Sequence, residues 1–185
     1  WRAPSPKMPP GFDIMARPVF GFFGPRQKIL GTEVSGDVVA VGISDSRPPV
    51  DAFNYNNFDL ENRPAAPGET QPVACWVSAD AGYLETLGVR LLEGRLLTRD
   101  DERAHAPPVI VVDERWAERH SRGERVLGKR MREGGSTEGP CTTVVGVVSE
   151  VPYAGVSGET GGTVYAPWTG LVDPFVVVRT RGASD

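Results

Sequence analysis

One segment of the chain, residues 123–130, comes close to a phosphate-binding P-loop. That motif needs Ser or Thr after its lysine to hold Mg²⁺, together with a strand before the loop and a helix after it. Here Arg130 follows Lys129, Glu124 would place a carboxylate beside the phosphates, and a predicted helix precedes the segment. We therefore expect no nucleotide binding at these residues.

The two histidines, His105 and His120, are the next candidates for chemistry. His105 lies in a charged loop, and His120 lies near the end of a predicted helix, where a partial positive charge is favoured. Neither has further ligands at the spacing of a metal site, and Ser157 lacks the Gly-x-Ser-x-Gly pattern of a hydrolase. The sequence therefore predicts no catalytic residue, no cofactor-binding residue and no metal ligand, and a hydrolase with an unconventional site is the weakest candidate function.

The two cysteines, Cys75 and Cys141, are too few for a disulfide scaffold and lack the spacing of a metal site. Each lies in an apolar, strand-like run, where a buried free thiol is ordinary. An oxidising compartment would still allow one bond between them. Their bonding state stays open at the level of the sequence.

A basic stretch covers residues 114–133, with seven Arg or Lys and four Glu, for a local charge of +3. Such a run is most often a solvated face with helix-spaced charge pairs. The alternative is a docking surface for an acidic partner or for lipid headgroups. The whole chain carries a net charge of −4, which argues against a nucleic-acid partner.

The composition predicts a folded domain. The 185 residues are 39% hydrophobic and 24% charged, enough to bury one core or two small ones. No run approaches the roughly 18 apolar residues of a membrane helix. The chain begins with Trp1 and shows no signal-peptide pattern, so we expect a segment of a longer protein.

Strands dominate the predicted elements, and the fold class is α+β or α/β, of which we favour α+β. Residues 53–62 are polar and read as an edge strand, and residues 1–10 form a proline-rich lead-in. The other strands are expected at residues 37–44, 72–78, 89–92, 108–112, 142–148, 163–166 and 175–180.

Two helices have recognisable ends. Ser78 or Asp80 is expected to cap a short helix that stops at Gly88, and Asp113 is expected to cap a helix over residues 114–121. The second helix would present Trp116, Ala117 and His120 on one side. In the loop between the helices, Arg95 is expected to pair with Asp100 and Asp101.

The order of short segments from Val77 onward resembles the MacB-like periplasmic core domain of bacterial ABC-transporter permeases, a group that includes FtsX-like and lipoprotein-releasing permeases. The resemblance covers residues 11–185, although residues 14–35 are shorter and richer in glycine than the family pattern. The segments that carry it are Val77-Ser78, residues 83–89 and 92–95, Asp100-Asp101, residues 107–114, Ala117, and residues 127–130, 144–148, 164–167 and 176–179.

The resemblance implies a domain of two lobes. A porter-like βαβ lobe would contain both chain ends, residues 11–93 plus 161–185, and a smaller α/β lobe of residues 94–160 would be inserted in it. The strand at residues 37–44 should then share a sheet with the strand at residues 175–180. This arrangement would bring the chain ends to one side.

The implied function is that of a non-catalytic domain between two membrane helices of a permease, on the periplasmic or extracellular side of a bacterial inner membrane. It would transmit conformational change and would need no cofactor. Its implied partners are the flanking membrane helices, a second permease copy and a periplasmic adaptor or lipoprotein, with an ATPase subunit only indirectly. The alternative is a secreted module that binds a small ligand between its lobes.

Overall fold

The computed structural model describes residues 12–15, 37–48, 54–66, 68–133, 140–151, 153, 161–170 and 174–181. The lead-in, Ser157 and nearly all of residues 14–35 lie outside the described residues. The elements that the described residues form are the strands β1 (Phe12–Met15), β2 (Asp37–Ser44), β3 (Asn54–Leu60), β4 (Val73–Ala79), β5 (Leu91–Gly94), β6 (Val109–Asp113), β7 (Arg130–Glu133), β8 (Thr142–Val148), β9 (Thr163–Pro167) and β10 (Phe175–Arg181), and the helices α1 (Tyr83–Thr86) and α2 (Glu114–Ser121).

The β-branched runs form strands where the sequence predicts them. β2 and β8 have the predicted bounds, since both are rich in valine. β5 begins two residues later than predicted, at Leu91. The reason is the end of α1: Gly88 has a φ of 71°, and the amide of Val89 donates to Leu84 O at 3.1 Å, so the helix turn occupies these residues.

The prediction that residues 53–62 form an edge strand is wrong. β3 pairs with β4 through residues 54–57 and with β7 through residues 58–60. Phe58 and Leu60 are buried as a result. β7 lies some 70 residues further along the chain, and the local pattern of the asparagine-rich strand does not predict so distant a partner.

Six of the strands pair in a closed circuit, here called the ring. Its order is β4, β3, β7, β8, β6, β9 and back to β4. Four of these pairings are antiparallel, whereas β6–β8 and β4–β9 are parallel. β5 adds to the free part of β8. A sheet that closes on itself leaves few unpaired backbone groups along its edges.

The remaining strands form a branch, here called the terminal sheet, in the order β1, β10, β2. The predicted pairing of residues 37–44 with residues 175–180 is therefore confirmed. Phe12 lies opposite Arg179, and Asp37 lies opposite Arg181. The described residues nearest the two chain ends are thus neighbours on one sheet.

Alternation along the strands divides the buried side chains into two clusters. On β4, Ala74 and Trp76 join the ring cluster, which takes side chains from all six ring strands and from Trp116 of α2. Cys75 and Val77 point the other way, into a second cluster that includes Tyr83 and Leu84 of α1 and Val177 of β10. None of the helices in the described residues has the length and apolarity to cross a membrane. The fold is α+β and dominated by sheet, and its division at residues 93/94 and 160/161 stays a prediction.

Candidate functional site: the junction of the terminal sheet and the ring

The structure places Lys129, the lysine of the P-loop-like segment, in a structural ion pair. Its ammonium donates to Glu124 Oε2 at 2.5 Å. Strand β7, and not a helix, begins at the next residue, Arg130. The segment therefore lacks the helix N-terminus on which a P-loop holds phosphate.

His120 is a buried neutral side chain, so the expectation of a partial positive charge at the helix end is wrong. Its ring packs against Phe58 and Trp116, with both centroid distances at 5.0 Å. Burial lowers the pKa of His120 to about 4, although its contact with Gly161 O at 3.2 Å favours the charged form. Desolvation in the ring cluster outweighs the helix end. His105, by contrast, is exposed in its loop.

Asp113 caps α2 as predicted and also ties the helix to β9. Its Oδ1 accepts from the amide of Trp116 at 2.7 Å, and its Oδ2 accepts from the amide of Thr163 at 2.9 Å. Burial raises the pKa of Asp113 to about 6 in spite of these bonds. A Cβ on Gly162 would lie 2.6 Å from this carboxylate, so the start of β9 passes close to the cap.

Both cysteines are free thiols, which answers the question left open by the sequence. Burial raises the pKa of Cys75 to about 12, and the nearby carboxylates of Asp45 and Asp113 add to the effect. A thiol with so high a pKa is a poor nucleophile at neutral pH. Within the described residues, no three His, Cys, Asp or Glu side chains form a group that could hold a metal ion.

Strand β2 meets β4 at a group of polar contacts, and this region is here called the junction. The ladder between the strands has a single register pair, Ser44 opposite Ala79. On one side of it, the amide of Asp45 donates to Ser78 O, and the amide of Ser78 donates to Asp45 Oδ1, both at 3.0 Å. A carboxylate thus extends the pairing after the backbone ladder ends.

A second aspartate does the same on the other side of that pair. The amide of Asp80 donates to Ile43 O, and the amide of Ile43 donates to Asp80 Oδ1, both at 2.9 Å. Burial raises the pKa of both Asp45 and Asp80, and their hydrogen bonds oppose the shift. The predicted cap at Ser78 or Asp80 is wrong: Gly82 holds the N-cap position of α1, and no side-chain hydrogen bond caps the helix there.

Helix α1 approaches the terminal sheet through two glycines. A Cβ on Gly42 would lie 2.8 Å from the amide nitrogen of Tyr83 and closer still to its Cα. A Cβ on Gly82 would lie 2.6 Å from Val41 O. Backbone therefore packs on backbone here, which only glycine permits. The hydroxyl of Tyr83 then continues the contact inward, 3.3 Å from Ser46 O.

Arg179 of β10 completes the junction. Its Nε donates to Thr86 O at 2.9 Å, and its Nη2 donates to Glu85 O at 2.6 Å. These carbonyls belong to the last turn of α1, where backbone acceptors lack partners within the helix and a cation is favoured. The sequence carries no local signal for this contact, because more than 90 residues separate the partners.

The loop after β5 is held by the predicted ion pair, with one change of partner. Arg95 binds both carboxylate oxygens of Asp101, at 2.6 and 2.9 Å. Asp100 pairs with Arg103 instead. Asp101 also accepts from the amide of Thr98, which fixes the loop locally.

The comparisons with known proteins agree with this fold. A domain of a protein described as a permease from Porphyromonas gingivalis has a TM-score of 0.53 at 19% identity, covering 80% of this chain and 64% of that chain. The periplasmic region of MacB from Actinobacillus actinomycetemcomitans has a TM-score of 0.54 at 19% identity, covering 80% and 61%. The extracellular domain of the ABC-type transporter YknZ from Gram-positive bacteria has a TM-score of 0.53 at 20% identity, covering 81% and 68%.

The chain thus spans 61% to 68% of the length of these structures. A comparison with curated proteins finds no match to this chain. The family of MacB-like periplasmic core domains, which are parts of ABC-transporter permeases, matches residues 17–185. This confirms the resemblance drawn from the segments after Val77, and the chain belongs to the family of MacB-like periplasmic core domains.

Proposed function

We propose that this domain lies outside the membrane in an ABC-transporter permease and transmits conformational change as a rigid body, without catalysing a reaction. The observation that carries the proposal is the junction. The strands next to both chain ends, β1 and β10, pair with each other, and β10 and β2 are joined to the ring by contacts with α1 and β4. A movement applied at Phe12 and Arg181 would therefore displace the ring as a unit.

The hydrogen bonds at the junction suit such a role. Asp45 and Asp80 bind backbone amides across the two sheets, and the two glycines leave no space for sliding. A close-packed interface of this kind has few alternative arrangements, so it passes a displacement on instead of absorbing it. The proposed division into lobes of residues 11–93 plus 161–185 and residues 94–160 would run through the ring, because β3, β4 and β9 fall in the first lobe and β6, β7 and β8 in the second. In this proposal the two lobes therefore move together.

The proposed partners are the flanking membrane helices, a second permease copy and an adaptor or lipoprotein outside the membrane, with the ATPase coupled only through the membrane helices. Neither a cofactor nor a nucleic acid is required. The family match favours this function over a secreted module for a small ligand. The charge of −4 is also unsuited to nucleic acid.

Spin-label distances in the complete permease would test the proposal. Labels at Val39→Cys on β2 and Glu118→Cys on α2 report on the terminal sheet and the ring of one domain, and both native cysteines are buried. The distance between these labels should stay the same with ATP and after hydrolysis, while the distance from Glu118→Cys to a label on the membrane helices should change. If the distance between the labels on Val39→Cys and Glu118→Cys changed as much as the distance from Glu118→Cys to the membrane helices, rigid transmission would be contradicted.

A further inference from the structure

The turn after β3 and the segment before β7 enclose a groove, here called the Asn62 groove. It consists of two adjoining cavities of about 230 and 370 Å³, which share Asn62 and Lys129. The smaller cavity is also lined by Arg63, Arg122 and Glu124. The larger cavity includes a second ion pair, between Arg130 at the start of β7 and Glu61 in the turn after β3.

Two of the four basic residues that line the groove are paired with glutamates. Lys129 is paired with Glu124 at 2.5 Å, and Arg130 is paired with Glu61 at 3.0 Å. Within the part of the chain that the structure describes, neither Arg63 nor Arg122 has a carboxylate within ion-pair distance, although the charge of Arg63 adds to that of Lys129 in lowering the pKa of Glu124. The groove therefore carries an excess charge of about +2 at neutral pH from two guanidinium groups, on a chain with a net charge of −4.

This chemistry is suited to carboxylate. A guanidinium group offers parallel N–H donors that match the two oxygens of a carboxylate, and such charge-assisted bonds are stronger than neutral ones. The amide of Asn62 adds a neutral donor between the two cavities. Arg122 is held at the end of α2 in the left-handed conformation, with a φ of 51°, so its backbone position is set by the helix end.

The place of the groove in the fold argues against a lipid headgroup as the anion. From the pair Ser44–Ala79, β2 leads seven residues back to Asp37 beside the chain ends, and β4 leads six residues back to Val73 in the opposite direction. At ~3.3 Å per residue this path is roughly 40 Å long. The groove lies at the far end, beyond the start of β4. A bilayer attached at the chain ends would lie away from it.

We propose that the Asn62 groove binds the carboxylate side chains of an acidic segment in a partner protein. The choice of a protein over a lipid surface rests on the proposed function, because that function places the membrane at the chain ends. The proposed affinity of the groove for carboxylates rests on its lining residues and their charge. The two can therefore fail separately: a failed spin-label test would leave the binding of an acidic peptide intact.

Fluorescence anisotropy on the whole 185-residue chain would test this proposal. The probe is a labelled hexaglutamate amide, and hexaglutamine carrying the same label is the neutral comparison. We expect saturable binding of hexaglutamate that weakens with salt, and no binding of hexaglutamine. The double variant Arg63→Gln/Arg122→Gln should weaken binding by about tenfold or more, since each lost charge-assisted contact is worth at least a few-fold in affinity.

The control is Arg103→Gln/Arg125→Gln, which removes two arginines outside the groove whose side chains are 77% and 70% exposed. It should change the affinity by less than about twofold, and both double variants should melt with the wild type because none of the four arginines is buried. Equal losses in the two double variants would overturn the proposal by showing a non-specific charge effect. Binding to inorganic phosphate or to vesicles with 30% phosphatidylglycerol, without binding to hexaglutamate, would also overturn it.

Discussion

The ring cluster and the junction are held together by different physics. The ring cluster is apolar, and Phe58, Trp116 and Met131 are each fully buried in it. The junction is built from two aspartates, two glycines and an arginine that bind backbone groups. Burial of apolar area does not depend on direction, whereas hydrogen bonds and backbone contacts do. We infer that the first region supplies stability and the second supplies coupling.

The largest effect should come from emptying the ring cluster. Trp116→Ala should lower the free energy of unfolding by about 3–5 kcal/mol, because the ring is fully buried against Phe58 and His120. Urea denaturation of the domain measures this loss. Trp168→Ala, at a half-buried tryptophan outside both clusters, is the control and should cost less than half as much. Similar losses in the two variants would remove the distinction between ring cluster and surface.

A single methyl group should damage the junction. Gly42→Ala would place its Cβ against the backbone of Tyr83, and relieving that overlap should cost roughly 1–3 kcal/mol of unfolding free energy. It should also break the rigid relation between the labels on Val39 and Glu118. Gly128→Ala is the control for strain alone, because its φ is +80° and a Cβ there would meet nothing within 4 Å. An unchanged label distance in Gly42→Ala would mean that the junction does not control coupling.

Two buried groups, Asp113 and His120, should make the free energy of unfolding depend on pH in opposite ways. The folded pKa of Asp113, about 6, lies above its ordinary value of 3.8, so its contribution to stability is full below pH 3.8 and is lost as the pH rises through 6. The folded pKa of His120, about 4, lies below 6.5, so its contribution is present above pH 6.5 and is lost as the pH falls to 4. Between pH 4 and 6 the two effects oppose each other.

Replacing each residue in turn should reveal its contribution to the pH dependence of the free energy of unfolding. In Asp113→Asn the free energy of unfolding, relative to wild type, should fall by about 2 kcal/mol as the pH is lowered from 6 to 4, and in His120→Gln it should rise by a similar amount. The measurement is urea denaturation across that range, with the charged neighbours Glu150, Arg119 and Arg63 unchanged. Parallel curves for both variants and wild type would show that neither group has a shifted pKa.

The smallest effect should come from the exposed loop. Arg95→Ala removes a two-pronged ion pair with Asp101, yet Arg95 is 45% exposed in its side chain, so we expect a loss below about 1 kcal/mol. Salt should reduce the difference between this variant and wild type, because exposed ion pairs are screened. A loss comparable to that of Trp116→Ala would place the loop among the principal determinants of stability.

The sequence by itself determined the features whose causes are local. Asp113 and Trp116 are three residues apart, so the cap and the buried ring could be predicted from spacing. The valine-rich strands β2 and β8 have the bounds that their residue types indicate. The order of such short segments also identified the family, since that order is a property of the chain and needs no contact between the segments.

Only the tertiary structure decided the features that join distant segments. Three contacts connect residues about 70 to 95 positions apart. They are the pairing of β3 with β7, the pairing of β4 with β9 that closes the ring, and the hydrogen bonds from Arg179 to α1. The neutral state of His120 and the protonated state of the Cys75 thiol depend on desolvation within the folded chain. Local patterns record periodicity and caps, but burial and backbone approach arise only when separate elements meet in space.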